Sequence, residues 1–201
     1  MTVKKLRIKP GFLLLLAALF YLDEGVGLLP WGLLACAAHE CGHLAAGRFL
    51  GGRLDWLELS AVGAQMNLSY ASPLSYGGEI AVALAGPAVN LALGWAALQL
   101  DWVILAGVNL GIAGFNLLPV LPLDGGGVVW NGTAWFAGEA WAERVLPVIS
   151  AVFVGLLAGA GAVVAVHFAN ISLLVTASWL LWVTLGRKMK KSAKNSLHFP
   201  K

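Results

Sequence analysis

The stretch LACAAHECGHLAAGRFLGG, residues 34 to 52, decides how the chain is read. Leucine, alanine, cysteine and glycine give it the composition of a bilayer-spanning helix, yet His39, Glu40 and His43 sit at its centre. A charged residue at mid-helix costs ~2.5–3.5 kcal/mol on insertion scales, so ionisable groups there face a partner or a cavity rather than lipid. On a helix, His39 and His43 at i and i+4 share one face, so both imidazoles reach one metal ion. Two neutral imidazoles and one carboxylate suit zinc, with a fourth position left for water. Glu40 lies a further ~100° round the helix, placed to take a proton from that water without ligating the ion. A polar patch that merely bonds two helices is the competing reading. The density of ionisable groups disfavours it, as does Gly42, which keeps the helix surface open beside His43.

The composition supports the membrane setting. Of 201 residues 59% are apolar and only 11% are charged, and residues 80–100 and 102–123 carry no charge. Runs of about 20 apolar residues match the ~30 Å of hydrocarbon in a bilayer. The expected fold class is therefore an all-α polytopic membrane protein of about six spans, near residues 8–24, 29–50, 76–99, 102–121, 145–166 and 169–186. Between the second and third spans, residues 54–69 hint at alternation, and a short hairpin at the inner membrane face is expected there. Residues 1–186 form the expected membrane domain and 187–201 a basic cytoplasmic tail. The N-terminal stretch lacks a small-x-small cleavage site and reads as a retained first crossing.

The net charge of +3 does not indicate nucleic acid, because the basic residues flank the spans. With the N-terminus in the cytoplasm, all 13 Lys and Arg fall on the inner side, including Lys4, Arg48, Arg53, Arg144 and Lys201. The outer loops carry Asp23, Glu24 and Asp101. An integral protein of the bacterial cell membrane with both termini cytoplasmic is the expectation. The nine Trp residues read as lipid-facing anchors without chemistry. Cys36 and Cys41, five residues apart on one helix, do not face each other for a disulfide.

A zinc site of this kind needs a third ligand. Glu79, Asp101, Asp124 and His167 are the remaining candidates at membrane depth. Asp124 lies 23 residues beyond Asp101, ~35 Å along a helix, which puts it toward the inner side. His39 and His43 lie nine and five residues before Arg48, ~8–14 Å in from the same edge. Asp124 follows Pro119 and Pro122 and precedes Gly125, Gly126 and Gly127, so an unwound helix end is expected there. Unwound backbone at membrane depth lines water or packs against protein.

These motifs together resemble the site-2 protease family of intramembrane zinc metalloproteases. HECGH (39–43) and FNLLPVLPLDGG (115–126) are similar to its two signatures, and AGPAVN (85–90) to the Gly-Pro-x-x-Asn of its intervening span. Six spans and the opening LRIKPGFLLLLAALF are most similar to the subgroup of the sporulation stage IV factor B protease. The resemblance covers residues 6–186. It implies one zinc per chain held by His39, His43 and Asp124, with Glu40 as general base. It further implies that Asn116 and Asn90 position the substrate or polarise its carbonyl, and that an edge of the hairpin pairs with an unwound substrate strand. Better-known members of the subgroup carry a nucleotide-sensing CBS domain and other branches carry PDZ domains. Neither pattern occurs in these residues, so neither form of regulation is carried over.

The expected activity is hydrolysis of a peptide bond in a transmembrane or membrane-tethered protein near the cytoplasmic face, of a pro-sigma or anti-sigma type. The expected partners are that substrate and the lipid bilayer, with a membrane regulator or a second copy compatible and no nucleic acid. The alternative is a non-hydrolytic zinc or proton transporter, or an inactive protease-like binder. Transporters show internal repeats with broken helices in matching positions, and this chain has one broken helix and no repeat.

Overall fold

The computed structural model describes residues 5–23, 27–60 and 63–196, without the side chains of Lys5, Leu22 and residues 185–196. Lys4, Glu24, Lys201 and the basic side chains from Arg187 onward lie outside what is described. The chain divides into two compact units, residues 1–116 and 117–201.

The first unit contains β1 (Lys5–Ile8), α1 (Pro10–Leu22), α2 (Leu28–Phe49), β2 (Arg53–Ser60), β3 (Gly63–Ser69), α3 (Tyr76–Gln99) and α4 (Val103–Asn116). Asp23 starts the helix that carries HECGH. Its carboxylate accepts from the backbone N–H groups of Gly27, Leu28 and Leu29 at 3.1, 2.9 and 3.2 Å. These are donors left open at a helix N-terminus, and a carboxylate also suits the local dipole. At the other end Gly51 takes the left-handed conformation, with φ +87°, and Gly52 N–H returns to Gly47 O at 2.8 Å.

The helices of this unit meet over small residues. Ala35, Ala97, Ala106 and Ala113 are buried, and a Cβ on Gly42 would stand 2.6 Å from the Ala85 carbonyl oxygen. Close backbone approach over Gly and Ala is how helices pack where lipid removes the hydrophobic drive between them. Outward-facing side chains are large and apolar instead: Phe20 is 77% and Leu14 72% exposed. So much exposed apolar surface suits a lipid neighbour rather than water.

The expected hairpin is present as β2 and β3, antiparallel, with a register shift between Leu54 and Trp56. A third strand joins it, so the fold is not all-α. β1 pairs parallel with β2, Leu6 opposite Leu57 and Ile8 opposite Leu59, giving the order β1-β2-β3. Lys9 continues the attachment: its N–H donates to Leu59 O at 2.9 Å and its Nζ meets Glu58 at 2.7 Å. In the sequence this stretch reads only as a basic flank of the first span. A four-residue strand whose partner lies some fifty residues away leaves no local period to detect.

The second unit opens on an irregular segment, residues 117–123, followed by α5 (Asp124–Ala137), α6 (Glu139–Phe168) and α7 (Ser172–Ser196). Helix α4 ends at Asn116, five residues short of the expected 121, just ahead of Pro119 and Pro122. The glycines after Asp124 do not unwind the chain as expected; they begin α5. Gly126 shows why glycine stands there: a Cβ would lie 2.6 Å from the Val120 carbonyl carbon. The backbone folds onto itself so closely that only a residue without a side chain fits. The irregular carbonyls are capped by hydroxyls, Ser150 Oγ to Pro119 O at 3.4 Å and Thr184 Oγ1 to Leu121 O at 3.2 Å. That satisfies backbone which lipid could not.

Seven helices therefore stand among the described residues where six were expected, α5 being the addition. Two of them, α3 with 24 residues and α6 with 30, are long and apolar enough to cross a membrane, while α1, α4 and the apolar part of α7 are shorter. The expected boundary at residue 186 falls inside α7, whose backbone continues helical to Ser196.

Candidate metal centre

Helix α2 delivers His39 and His43 one turn apart, and α3 packs against that face. Gly42 admits the α3 backbone, and Gly86 makes room for the rings. A Cβ on Gly86 would fall on His43 Nε2 and within 2.8 Å of His39 Nε2. Pro87 follows and lacks an N–H, so the Ala83 carbonyl has no helical donor and this turn of α3 is loosened.

The hydrogen bonds of the two rings fix which nitrogen faces which way. His43 Nδ1 lies 2.7 Å from the Val82 carbonyl oxygen. A carbonyl only accepts, so Nδ1 carries the proton. His39 Nδ1 lies 2.6 Å from Asn90 Oδ1. The orientation of the Asn90 amide is set by its other contacts: Nδ2 donates to Ala35 O at 3.0 Å and to Asn109 Oδ1 at 2.8 Å. Both amide hydrogens are thus spent, Oδ1 accepts, and His39 Nδ1 is also the protonated nitrogen. Asn109 is oriented in turn by donating to Leu105 O at 2.9 Å. Asn90 and Asn109 are both 0% exposed.

It follows that each neutral imidazole presents the lone pair of Nε2, and the two Nε2 atoms stand 3.0 Å apart. Two lone pairs at that distance repel unless a cation or a proton lies between them. The donor set fits a divalent metal. Ring nitrogens bind metal through one atom while the other donates to a carbonyl or carboxylate, which is the pattern seen at both rings.

Glu40 is half-buried on the same helix. Asn90, expected to contact substrate, is instead fully buried with every amide atom engaged, and its partner is His39. Asn116 is half-buried at the end of α4, its Nδ2 donating to Ile112 O at 3.0 Å. Asp124 stands in the first turn of α5, in the second unit, half-buried. His167, set aside as a ligand, bonds its own helix at Val163 O, 3.0 Å away. Asn109 and the Val82 carbonyl lie outside the motifs, and Gly86 enters the sequence only as the glycine of AGPAVN. Asn109 had left a signal, a polar side chain in the apolar run VILAGVNLGIAGFN. The role of a backbone carbonyl leaves none.

No protein-family profile matches the chain. It is 32% identical over 133 residues to stage IV sporulation protein FB of Bacillus subtilis (strain 168), covering 62% of this chain and 46% of that protein. The fold matches the site-2 protease from Methanocaldococcus jannaschii with a TM-score of 0.68, covering 92% of this chain and 91% of that one at 18% identity. The resemblance to the site-2 proteases holds in sequence and in fold. The site-2-protease-like chain spans about half the length of the curated relative it matches. The fold is thus one already seen in a site-2 protease.

Proposed function

We propose that the chain is an intramembrane zinc metalloprotease that hydrolyses a peptide bond of a transmembrane or membrane-tethered protein near the cytoplasmic face. The observation that carries this reading is the pair of Nε2 lone pairs, 3.0 Å apart, on the helix that also bears Glu40. His39, His43 and Asp124 would hold one zinc ion per chain, Asp124 being assigned through the FNLLPVLPLDGG signature. The ion, when bound, supplies Lewis acidity toward water and the scissile carbonyl. Glu40 takes the proton of the attacking water and passes it to the leaving amine. Asn116 serves the substrate carbonyl, while Asn90 and the Val82 carbonyl hold the ligand rings.

A helical substrate hides its carbonyls in its own hydrogen bonds, so it unwinds before it is cut. A strand edge of the sheet offers backbone pairing for the unwound segment. The distribution of basic residues supports cytoplasmic termini, and the likeness to the Bacillus relative supports the bacterial cell membrane. Helix α5, with 14 residues and about 21 Å long, is taken as lying on the inner side and not as a crossing. The substrate class, of pro-sigma or anti-sigma type, rests on the likeness to the sporulation relative.

The test is a comparison of membrane proteomes between cells expressing wild-type protein and cells expressing Glu40→Gln. A protease leaves shortened membrane proteins only with the wild type. Identical proteomes, with zinc bound to both proteins, would favour a transporter or an inactive binder.

A further inference from the structure

Asn109 lies on α4, away from every signature motif, yet it is fully buried and tied to the site. From Leu105 O the bonds run through Asn109 to Asn90 and then to His39, each link pointing the same way: Asn109 Nδ2 donates to Leu105 O, Asn90 Nδ2 to Asn109 Oδ1, and His39 Nδ1 to Asn90 Oδ1. The direction is not free to reverse. The Leu105 and Ala35 carbonyls accept only, and each fixes one amide.

We propose that Asn109 is a positioning residue for the metal centre, acting through Asn90 to hold His39 in the Nδ1–H form and so setting how tightly a divalent cation binds. This rests on the proposed zinc site. Without the Asn109 acceptor, one Asn90 N–H is left unsatisfied in a dry interior, and Ala35 O alone still holds the amide in this orientation, so the turned-over form becomes more accessible. Turned over, it offers an N–H to His39 Nδ1, which drives the proton to Nε2 and removes the lone pair from the site. Partners of metal-ligating histidines change metal affinity by 10–100-fold. Asn109 is one link further out and its loss is expected to cost about tenfold or more.

Three versions of the full chain test this: wild type, Asn109→Ala and Asn109→Asp. A buried aspartic acid stays protonated, so it still donates to Leu105 O and still accepts from Asn90. The first readout is zinc affinity by competition with a chromogenic chelator. The second is the His39 ring ¹⁵N shifts of zinc-free protein in lipid. The relay predicts wild-type affinity within about threefold for Asn109→Asp and a loss of about tenfold or more for Asn109→Ala. It also predicts an Nδ1–H ring in wild type and in Asn109→Asp, and an Nε2–H contribution in Asn109→Ala. Unchanged affinity together with an unchanged tautomer in Asn109→Ala overturns it. If Asn109→Ala fails to fold, the wild-type tautomer decides alone: an Nε2–H His39 in zinc-free protein overturns the relay. If no version binds zinc but the ring is Nδ1–H in wild type and shifts in Asn109→Ala, the zinc reading fails and the relay stands.

Discussion

His39 Nε2 and His43 Nε2 face each other at 3.0 Å while both Nδ1 atoms are bonded to acceptors, Asn90 Oδ1 and Val82 O. The rings are therefore oriented to share one cation. That orientation requires space, and Gly86 supplies it.

Gly86→Ala separates site geometry from helix propensity. Alanine in a helix interior is worth roughly 0.5–1 kcal/mol over glycine, so propensity alone predicts a more stable protein. The added Cβ would collide with both Nε2 atoms, so zinc affinity is expected to fall by at least about tenfold. Chelator competition reads the affinity. Undiminished binding in this variant would mean the rings do not sit where they are placed.

Gly42→Leu tests the α2–α3 contact. Its first side-chain carbon would already lie 2.6 Å from Ala85 O, and over-packing of this kind costs about 1–3 kcal/mol. A lower denaturation midpoint in detergent is expected, with zinc bound more weakly because α3 carries Gly86, Val82 and Asn90. A glycine nearer the start of α2 offers the control. Gly32 has open space beside it, so Gly32→Ala is expected to leave the midpoint unchanged or raise it.

The sheet gives a prediction about which strand matters. Leu57 pairs with Leu6 on one side and Met66 on the other. Leu57→Pro removes a ladder donor from a central strand, where proline is not accommodated, and limited proteolysis is expected to open residues 53–69. Lys9→Ala breaks an ion pair whose lysine is 57% exposed, and exposed pairs contribute ~0–1 kcal/mol. Its effect on proteolysis is expected to be slight.

How much of this was legible in the sequence depended on the range of the signal. HECGH and FNLLPVLPLDGG are contiguous, and they pointed to His39, Glu40, His43 and Asp124 and to a break after α4. The pairing of α2 with α3 is a finding of the structure, where Gly42 meets the Ala85 carbonyl. The strand at Lys5–Ile8 was not legible, because its pairing with β2 is non-local. Helix α5 was hidden by its own start: three consecutive glycines argue against a helix on propensity. Two of them are required, because Gly125 and Gly126 lie against the backbone of the preceding segment, at Leu117 and Val120. Tertiary approach outweighed local preference.

Ser150 and Thr184 hold that preceding segment from α6 and α7. Ser150→Ala and Thr184→Val each leave one carbonyl without its hydroxyl, at a cost of about 1–3 kcal/mol where water cannot replace it. Hydrogen exchange at Val120 and Leu123, whose N–H groups donate within the segment to Leu118 O and Val120 O, is expected to quicken in both variants. Protection equal to wild type would show that the segment is held by other contacts.

The central claim is that Glu40 acts as base beside a zinc ion held by this chain. The most direct test compares purified wild type and Glu40→Gln in lipid vesicles for two quantities: zinc content, and cleavage of a membrane protein found shortened only in wild-type cells. Zinc at one per chain in both proteins, with cleavage in Glu40→Gln reduced at least about a hundredfold as expected on losing a general base, is the predicted result. Glu40→Gln cutting at the wild-type rate with its zinc in place would contradict it.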